Sequence, residues 1–286
     1  MRPMMRKFQT LARYARAPAG WSRLVRYAVT QPGKAWNRFV RLGSTSWIKY
    51  HFDDRAEYER LVNEIEHSDL VRNLHERLAS KFSVVKGRTP RGNPYIPGTM
   101  SRNQAFNIYA LIRKRAPTTV IETGVCNGLS TAIFLAALQQ NGTGHLYSID
   151  YPEYADSPER GVDFWEGKGG AVVPADEQSG WLVPEELRSR WTLILGKSQD
   201  KLPPLLADLG VIDLFVHDSE HSLKNQLFEF GLAFKHLRTG GMLLASDITW
   251  SNAFDLFWSS IRHRAERRFI DDSLALVAKL ELRSVQ

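Results

Sequence analysis

The sequence has a single cysteine, Cys126. That excludes a disulfide framework within the chain and any site built from several cysteine thiolates. Nothing near Cys126 in sequence would stabilise a thiolate, so it is expected to be a small buried filler. No apolar run approaches the ~18 residues of a membrane-spanning helix, and no signal-peptide core precedes a cleavage site. Acidic residues are missing altogether from positions 1–50, which carry eleven Lys and Arg. The net charge of +7 is therefore lopsided: the rest of the chain holds 27 basic and 31 acidic residues, a net of −4. A basic pI thus says little about a nucleic-acid-binding body.

What the first 50 residues do hold is basic side chains mixed with Phe8, Tyr14, Trp21, Tyr27, Trp36, Phe39, Trp47 and Tyr50. That mixture suits contact with an anionic lipid surface. A helical arm packed on the domain or on a second subunit is the plainer alternative, and nucleic acid or an organelle transit sequence is the weakest. Residues 51–80 are charged and helix-favouring, with Leu61, Ile65, Leu70 and Leu74 spaced for one face. The division expected is a basic, helical extension over 1–80 and a compact domain over 81–286.

Residues 86–100 are rich in Pro, Gly and basic residues and read as a loop, and 102–115 as a helix. Strand and helix patterns then alternate. Strands are expected at Thr119–Thr123, His145–Asp150, Trp191–Leu195, Ile212–His217 and Met242–Ser246. Helices are expected at Leu129–Gln140, Ser198–Leu206, 222–237 and 251–265, and the runs Arg268–Ile270 and Leu274–Leu280 follow. In the fourth-strand helix, Leu223, Leu227, Phe230, Phe234 and Leu237 form the predicted apolar stripe, with Gly240 and Gly241 as the stop. Such alternation predicts an α/β, doubly wound and mostly parallel sheet.

The stretch Val120–Phe134, VIETGVCNGLSTAIF, passes from strand to helix through Gly124 and Gly128, the order being Glu-x-Gly-x-x-x-Gly-x-Ser. Ligands of open parallel sheets bind at such turns. The spacing is not the G-x-G-x-x-G of a dinucleotide site, and Glu122 would repel a diphosphate. A carboxylate there suits a cation, and S-adenosylmethionine offers an ammonium and a sulfonium with no phosphate. Asp150, ending the second strand, is placed to accept ribose hydroxyls, and Ser198 and Gln199 after the third strand to meet an adenine edge. The expected cofactor residues are Glu122, Gly124, Gly128, Ser130, Asp150, Ser198, Gln199 and Asp218.

Taken together, IETGVCNGLST (121–131), YSID (147–150), SGWLVPEELRSRWTLILGKSQDKLPPLL (179–206), DLFVHDSEHS (213–222) and LRTGGMLLASDITWSNAF (237–254) resemble the class I S-adenosylmethionine-dependent methyltransferases. Within them the chain is similar to the methyltransferase family 24 group, related to catechol O-methyltransferase and the macrocin O-methyltransferases. The resemblance covers roughly residues 100–260. It implies a seven-stranded Rossmann-like sheet, with cofactor over strands 1 and 2 and acceptor over strands 4 and 5.

Methyl transfer requires an aligned donor and acceptor, and a hydroxyl acceptor must also lose its proton to a base or become acidic on a metal. Asp218 and His221 after strand 4 and Asp247 after strand 5 are the catalytic candidates. The related metal-dependent enzymes imply Asp218 and Asp247 as Mg²⁺ ligands, with a hydroxyl, Ser246, where a second acid would stand. His221 is a fitting base in a metal-free alternative, and ordering of the turn is the third reading. His217 is expected to face away and pack. Tyr151, Tyr154, Phe164, Trp165 and Trp181, in the irregular 151–190 segment, and Trp250 and Phe254 after strand 5, are candidates for the acceptor's surroundings.

The expected function is O-methylation of a hydroxyl on a small molecule or glycan, in the cytoplasm, with the basic arm resting on the inner membrane surface and homo-oligomerisation open. The rivals are an RNA methyltransferase and a non-catalytic S-adenosylmethionine-binding protein.

Overall fold

The computed structural model describes residues 46–81, 100–154 and 172–281. Most of the loop expected over 86–100, and Phe164 and Trp165, lie outside these residues. Three helices come first: α1 (Ser46–His51), α2 (Arg55–Glu66) and α3 (Asp69–Lys81). Asp54 opens α2 by accepting from the Glu57 amide at 2.7 Å, a side-chain cap for an otherwise unpartnered donor. Next is α4 (Arg102–Arg115), begun by a reciprocal capping box between Ser101 and Gln104.

The body follows as β1 (Thr119–Thr123), α5 (Leu129–Asn141), β2 (His145–Asp150), β3 (Trp191–Leu195) and α6 (Ser198–Leu209). It continues with β4 (Ile212–His217), α7 (Leu223–His236), β5 (Leu237–Ala245), α8 (Ala253–Ile261), β6 (Ala265–Phe269) and β7 (Ala275–Lys279). The seven strands lie in the order β3-β2-β1-β4-β5-β7-β6. All neighbours from β3 to β5 run parallel, and β7 runs antiparallel to both β5 and β6. Two-residue strands at 153–154 and 172–173 pair with each other outside this sheet.

Strand alternation divides the core into two layers. Val120, Leu146, Leu214, Val216, Met242 and Leu244 face one layer, where they meet buried residues of α1 to α5. Ile121, Ile149, Phe215, Leu243 and Ala245 face the other, under α6, α7 and α8. This is the expected doubly wound architecture. Helix α5 is buried nearly all round, which its sequence LSTAIFLAALQQN permits because it has no charged residue. Trp47, Phe52 and Leu61 are buried in the first layer with the body's own residues, so the helices before residue 81 and the sheet share one core.

Three local expectations are corrected. The buried face of α7 is Asn225, Gln226, Glu229, Phe230, Ala233 and Phe234, whereas Leu223 is 43% exposed. The helix is rotated from its most apolar stripe because its polar residues are taken up in a buried hydrogen-bond network. The same helix ends at His236, before the glycines, and β5 begins at Leu237. Lys279 of β7 donates to the carbonyls of Phe234, Lys235 and Leu237 at 3.1, 3.1 and 2.6 Å, satisfying the helix end from another strand. Finally, α8 spans only Ala253–Ile261, and β6 starts at Ala265 rather than Arg268. Among the described residues, no helix is long and apolar enough to cross a membrane.

Candidate active site

At the C-terminal tip of β1 the chain turns through Gly124 at φ +89°. A methyl group on Gly124 would collide with the carbonyl oxygen of Asp218, so only glycine lets the β1 and β4 tips approach this closely. The Asp218 amide completes the contact by donating to the Thr123 carbonyl at 2.9 Å. Gly128, at φ +85°, starts α5, and a side chain there would lie 2.8 Å from Gly180 Cα. Segment 179–182 lies across this turn: Gly180 donates to Cys126, Leu182 to Asn127, and the Trp181 indole to the Asn127 side chain at 2.7 Å.

The two expected cofactor carboxylates have different settings. Glu122 is fully buried, because strand alternation points it into the layer beneath α5 rather than out of the strand tip. Ser130, Thr131 and Ser148 donate to it at 3.1, 2.8 and 2.9 Å. Burial pushes its carboxyl up to about 7, against the pull of those hydroxyls. Glu122 therefore orders the start of α5 in this arrangement, and Ser130 is turned inward with it. Asp150 does sit at the turn. It accepts from the Val125 and Cys126 amides at 3.1 and 3.2 Å and from the Ser179 hydroxyl at 2.5 Å. Burial raises its pKa, and those donors oppose the rise. Sequence reasoning gave Ser179 no role at the site, since its partner lies 29 positions away.

Ser198 and Gln199, at the start of α6, meet on Asn225 Oδ1 at 3.2 and 2.7 Å. Ser198 is buried and Gln199 exposed. This places them beside the start of α7, one loop away from Asp218.

The expected catalytic residues do converge. Ligating atoms of Asp218, His221 and Asp247 all lie within 4.8 Å of one another. His221 Nε2 is 3.4 Å from Asp247 Oδ2, and its ring centroid is 5.3 Å from that of Trp250, which is 41% exposed. Burial, and then the charge of Asp247, drives the Asp218 carboxyl well above the usual range, while the Ser246 hydroxyl bonded to it works the other way. Asp247 is pushed up to about 6 by burial, with Asp271 and Asp272 adding to the rise and His217 opposing it. Burial, and then His217, pulls His221 well below an ordinary imidazole, so its ring is neutral. Two crowded carboxylates of this kind attract a proton or a cation. Asp247 also has φ +49°, a strained backbone that aims its side chain at His221.

Phe254 is core, packed edge-on against Phe230 at 6.3 Å. Trp181 lies under Arg77 and Lys81 of α3, at 5.4 and 5.9 Å, rather than beside Asp218, His221 and Asp247. His217 is buried away from the opening and bonded to Glu229 at 2.7 Å. Glu229, fully buried, was missed: it lies one position from the predicted stripe residue Phe230, and a lone acid there could have signalled a buried polar anchor. Burial alone would raise its pKa, but His217, Ser198 and Thr123 hold it at about 2.

Residues 121–248 match the family Methyltransf_24, described as a methyltransferase domain. Over these residues the chain is similar to that family. The matched segment starts in β1 and ends just past Asp247, so it contains both the glycine turn and the cluster of Asp218, His221 and Asp247. Solved methyltransferases share the fold. The O-methyltransferase from Bacillus cereus, in complex with SAH, is 15% identical, with 79% of this chain and 97% of that one covered and a TM-score of 0.53. TomG from Streptomyces achromogenes, an O-methyltransferase of tomaymycin synthesis in complex with SAM, is also 15% identical, with coverages of 75% and 91% and a TM-score of 0.50. At such identities the likeness is one of fold. No curated protein matches the chain by sequence.

Proposed function

We propose that this methyltransferase domain moves the methyl group of S-adenosylmethionine to a hydroxyl of a small molecule or glycan. The observation that carries the reading is the meeting of Asp218, His221 and Asp247 at the tips of β4 and β5, next to the glycine turn of β1. The donor lies over the turn, against Gly124, Gly128 and Asp150, with its adenine toward Ser198 and Gln199. Its sulfonium needs only an aligned nucleophile, because the leaving thioether departs neutral. The hydroxyl proton passes to the pair formed by His221, kept neutral by burial, and Asp247, whose Nε2 and Oδ2 lie 3.4 Å apart. Trp250 offers an exposed aromatic face for the acceptor beside that base.

Asp218 and Asp247 supply hard oxygen donors, and His221 a nitrogen, so the trio fits a divalent cation as well. A bound Mg²⁺ would take those two carboxylates and water, and would supply acidification of the acceptor hydroxyl. The enzyme works in the cytoplasm, and the basic, aromatic residues that precede α1 rest on the anionic inner membrane surface.

The test is incubation of the full chain with methyl-labelled S-adenosylmethionine and an extract of its own cells, followed by mass spectrometry of labelled products. An O-methyl group on a small hydroxylated molecule or glycan is the expected result. Label confined to RNA, or no labelled product, overturns the reading.

A further inference from the structure

One side chain, two turns into α7, touches nearly every segment that forms the site. Glu229 is fully buried, with Asn225, Gln226 and His217, beside the apolar layer of Phe230, Ala233 and Phe234. Each of its oxygens accepts two hydrogen bonds. Thr123 Oγ1 and His217 Nδ1 donate to Oε2 at 2.6 and 2.7 Å. Ser219 Oγ and Asn225 Nδ2 donate to Oε1 at 2.7 and 2.9 Å. A carboxylate has about four acceptor sites, and these donors fill them.

The origin of the donors is what gives the arrangement meaning. Thr123 ends β1 and precedes Gly124; its carbonyl holds the Asp218 amide. His217 and Ser219 flank Asp218 on both sides. Asn225 also donates to the Glu220 carbonyl at 3.1 Å and receives the side chains of Ser198 and Gln199. The His217 ring sits edge-on to His221, with centroids 5.3 Å apart. Beyond it, Gln226 contacts His217 at 3.4 Å and accepts from Ser251 at 2.6 Å, reaching the loop that carries Trp250. None of these bonds leads to the opposite end of the sheet. A carboxylate without water is expensive to bury, and it is held here only because four donors converge on it.

We infer that Glu229 is a positioning residue: its carboxylate locks the tips of β1 and β4 and the starts of α6 and α7 together, fixing the turn of Gly124 and the place of His221. The inference rests on the methyl-transfer reading of the same site, and it adds an actor that contacts neither donor nor acceptor. Supports of this kind, when removed, lower affinity or activity by about 10- to 100-fold.

The experiment compares Glu229→Gln, Glu229→Asp and Thr123→Val with the wild-type chain. Three quantities are read: S-adenosylmethionine affinity by calorimetry, the histidine ring resonances by NMR (His221 assigned from His221→Asn), and the melting temperature. Glu229→Gln keeps the shape but replaces an acceptor oxygen with a donor. It is expected to weaken S-adenosylmethionine binding about tenfold and to move the His221 ring signals, although residue 229 does not touch that ring. Glu229→Asp should recover part of both effects. Thr123→Val, which removes one bond only, should give a smaller change in the same direction, and it decides the matter if Glu229→Gln does not fold. Affinity within twofold of wild type together with unmoved His221 signals, whatever the melting temperature, overturns the inference and leaves Glu229 as a stabilising residue. Failure of the wild-type chain to bind S-adenosylmethionine would instead overturn the methyl-transfer reading, and the His221 signals would still decide the role of Glu229.

Discussion

His221 Nε2 and Asp247 Oδ2 lie 3.4 Å apart, although the two residues come from different loops, one after β4 and one after β5. A carboxyl and an imidazole this close can share a proton. Asp247→Asn keeps the size of the side chain and removes its charge. Turnover should fall about 10²- to 10⁴-fold, as for loss of acid–base assistance, with S-adenosylmethionine affinity changed by less than about threefold. His221→Asn should fall into the same range, and the double variant should be no worse than either single one. Initial rates with the product found by labelling, together with calorimetry, check this.

Gly124 is predicted to tolerate no side chain. Gly124→Ala would place a methyl group against the Asp218 carbonyl at a backbone angle of +89°. The expected loss is at least about 2 kcal/mol of stability, from strain and from separation of the β1 and β4 tips. Urea unfolding measures it. Gly142→Ala is the control, since φ there is also positive (+69°) but nothing lies within 4 Å of the added group.

Glu122 gives the fold a pH dependence with a defined sign. Its carboxyl is raised from 4.5 to about 7 by burial, so the folded chain holds this proton more tightly than the unfolded one. The stability it contributes is complete below about pH 4.5 and is lost as pH rises through about 7, a change on the order of 3 kcal/mol. Glu122→Gln should flatten that slope. At pH 5 the variant should be less stable by about 1–2 kcal/mol, because an amide oxygen cannot serve all three hydroxyls. Near pH 8 the gap should close or reverse. Unfolding curves across pH 5–8 for both proteins decide it.

The helices before residue 81 are predicted to be part of the folding unit. Trp47 is buried, with edge-on contacts to Phe52 and Tyr58 at 5.7 and 5.4 Å. Trp47→Ala should cost about 3–5 kcal/mol. A single cooperative transition, shifted as a whole, should appear in both circular dichroism and the fluorescence of the remaining tryptophans. Two separate transitions would show that α1 to α3 unfold on their own.

Much of this protein was legible from local patterns. Strands β1 to β4 announced themselves as short apolar runs closed by turn residues, and the alternation with helices implied the layered sheet. Gly124, Asp150, Asp218, His221 and Asp247 could be picked out because each ends or follows a strand, where parallel sheets expose side chains to ligands. Chain order and strand period are local properties, readable without coordinates. The direction in which Glu122 points was in principle readable from the same period. Its partners were not, because Ser148 comes from the neighbouring strand.

Tertiary packing decided the rest. Glu229 is joined to Thr123 across 106 positions of sequence, and Lys279 closes the end of α7 from 42 to 45 positions away. A buried polar group is stable only where the folded chain delivers its partners. Which face of α7 turned inward was therefore settled by where donors arrived, not by where its leucines stood.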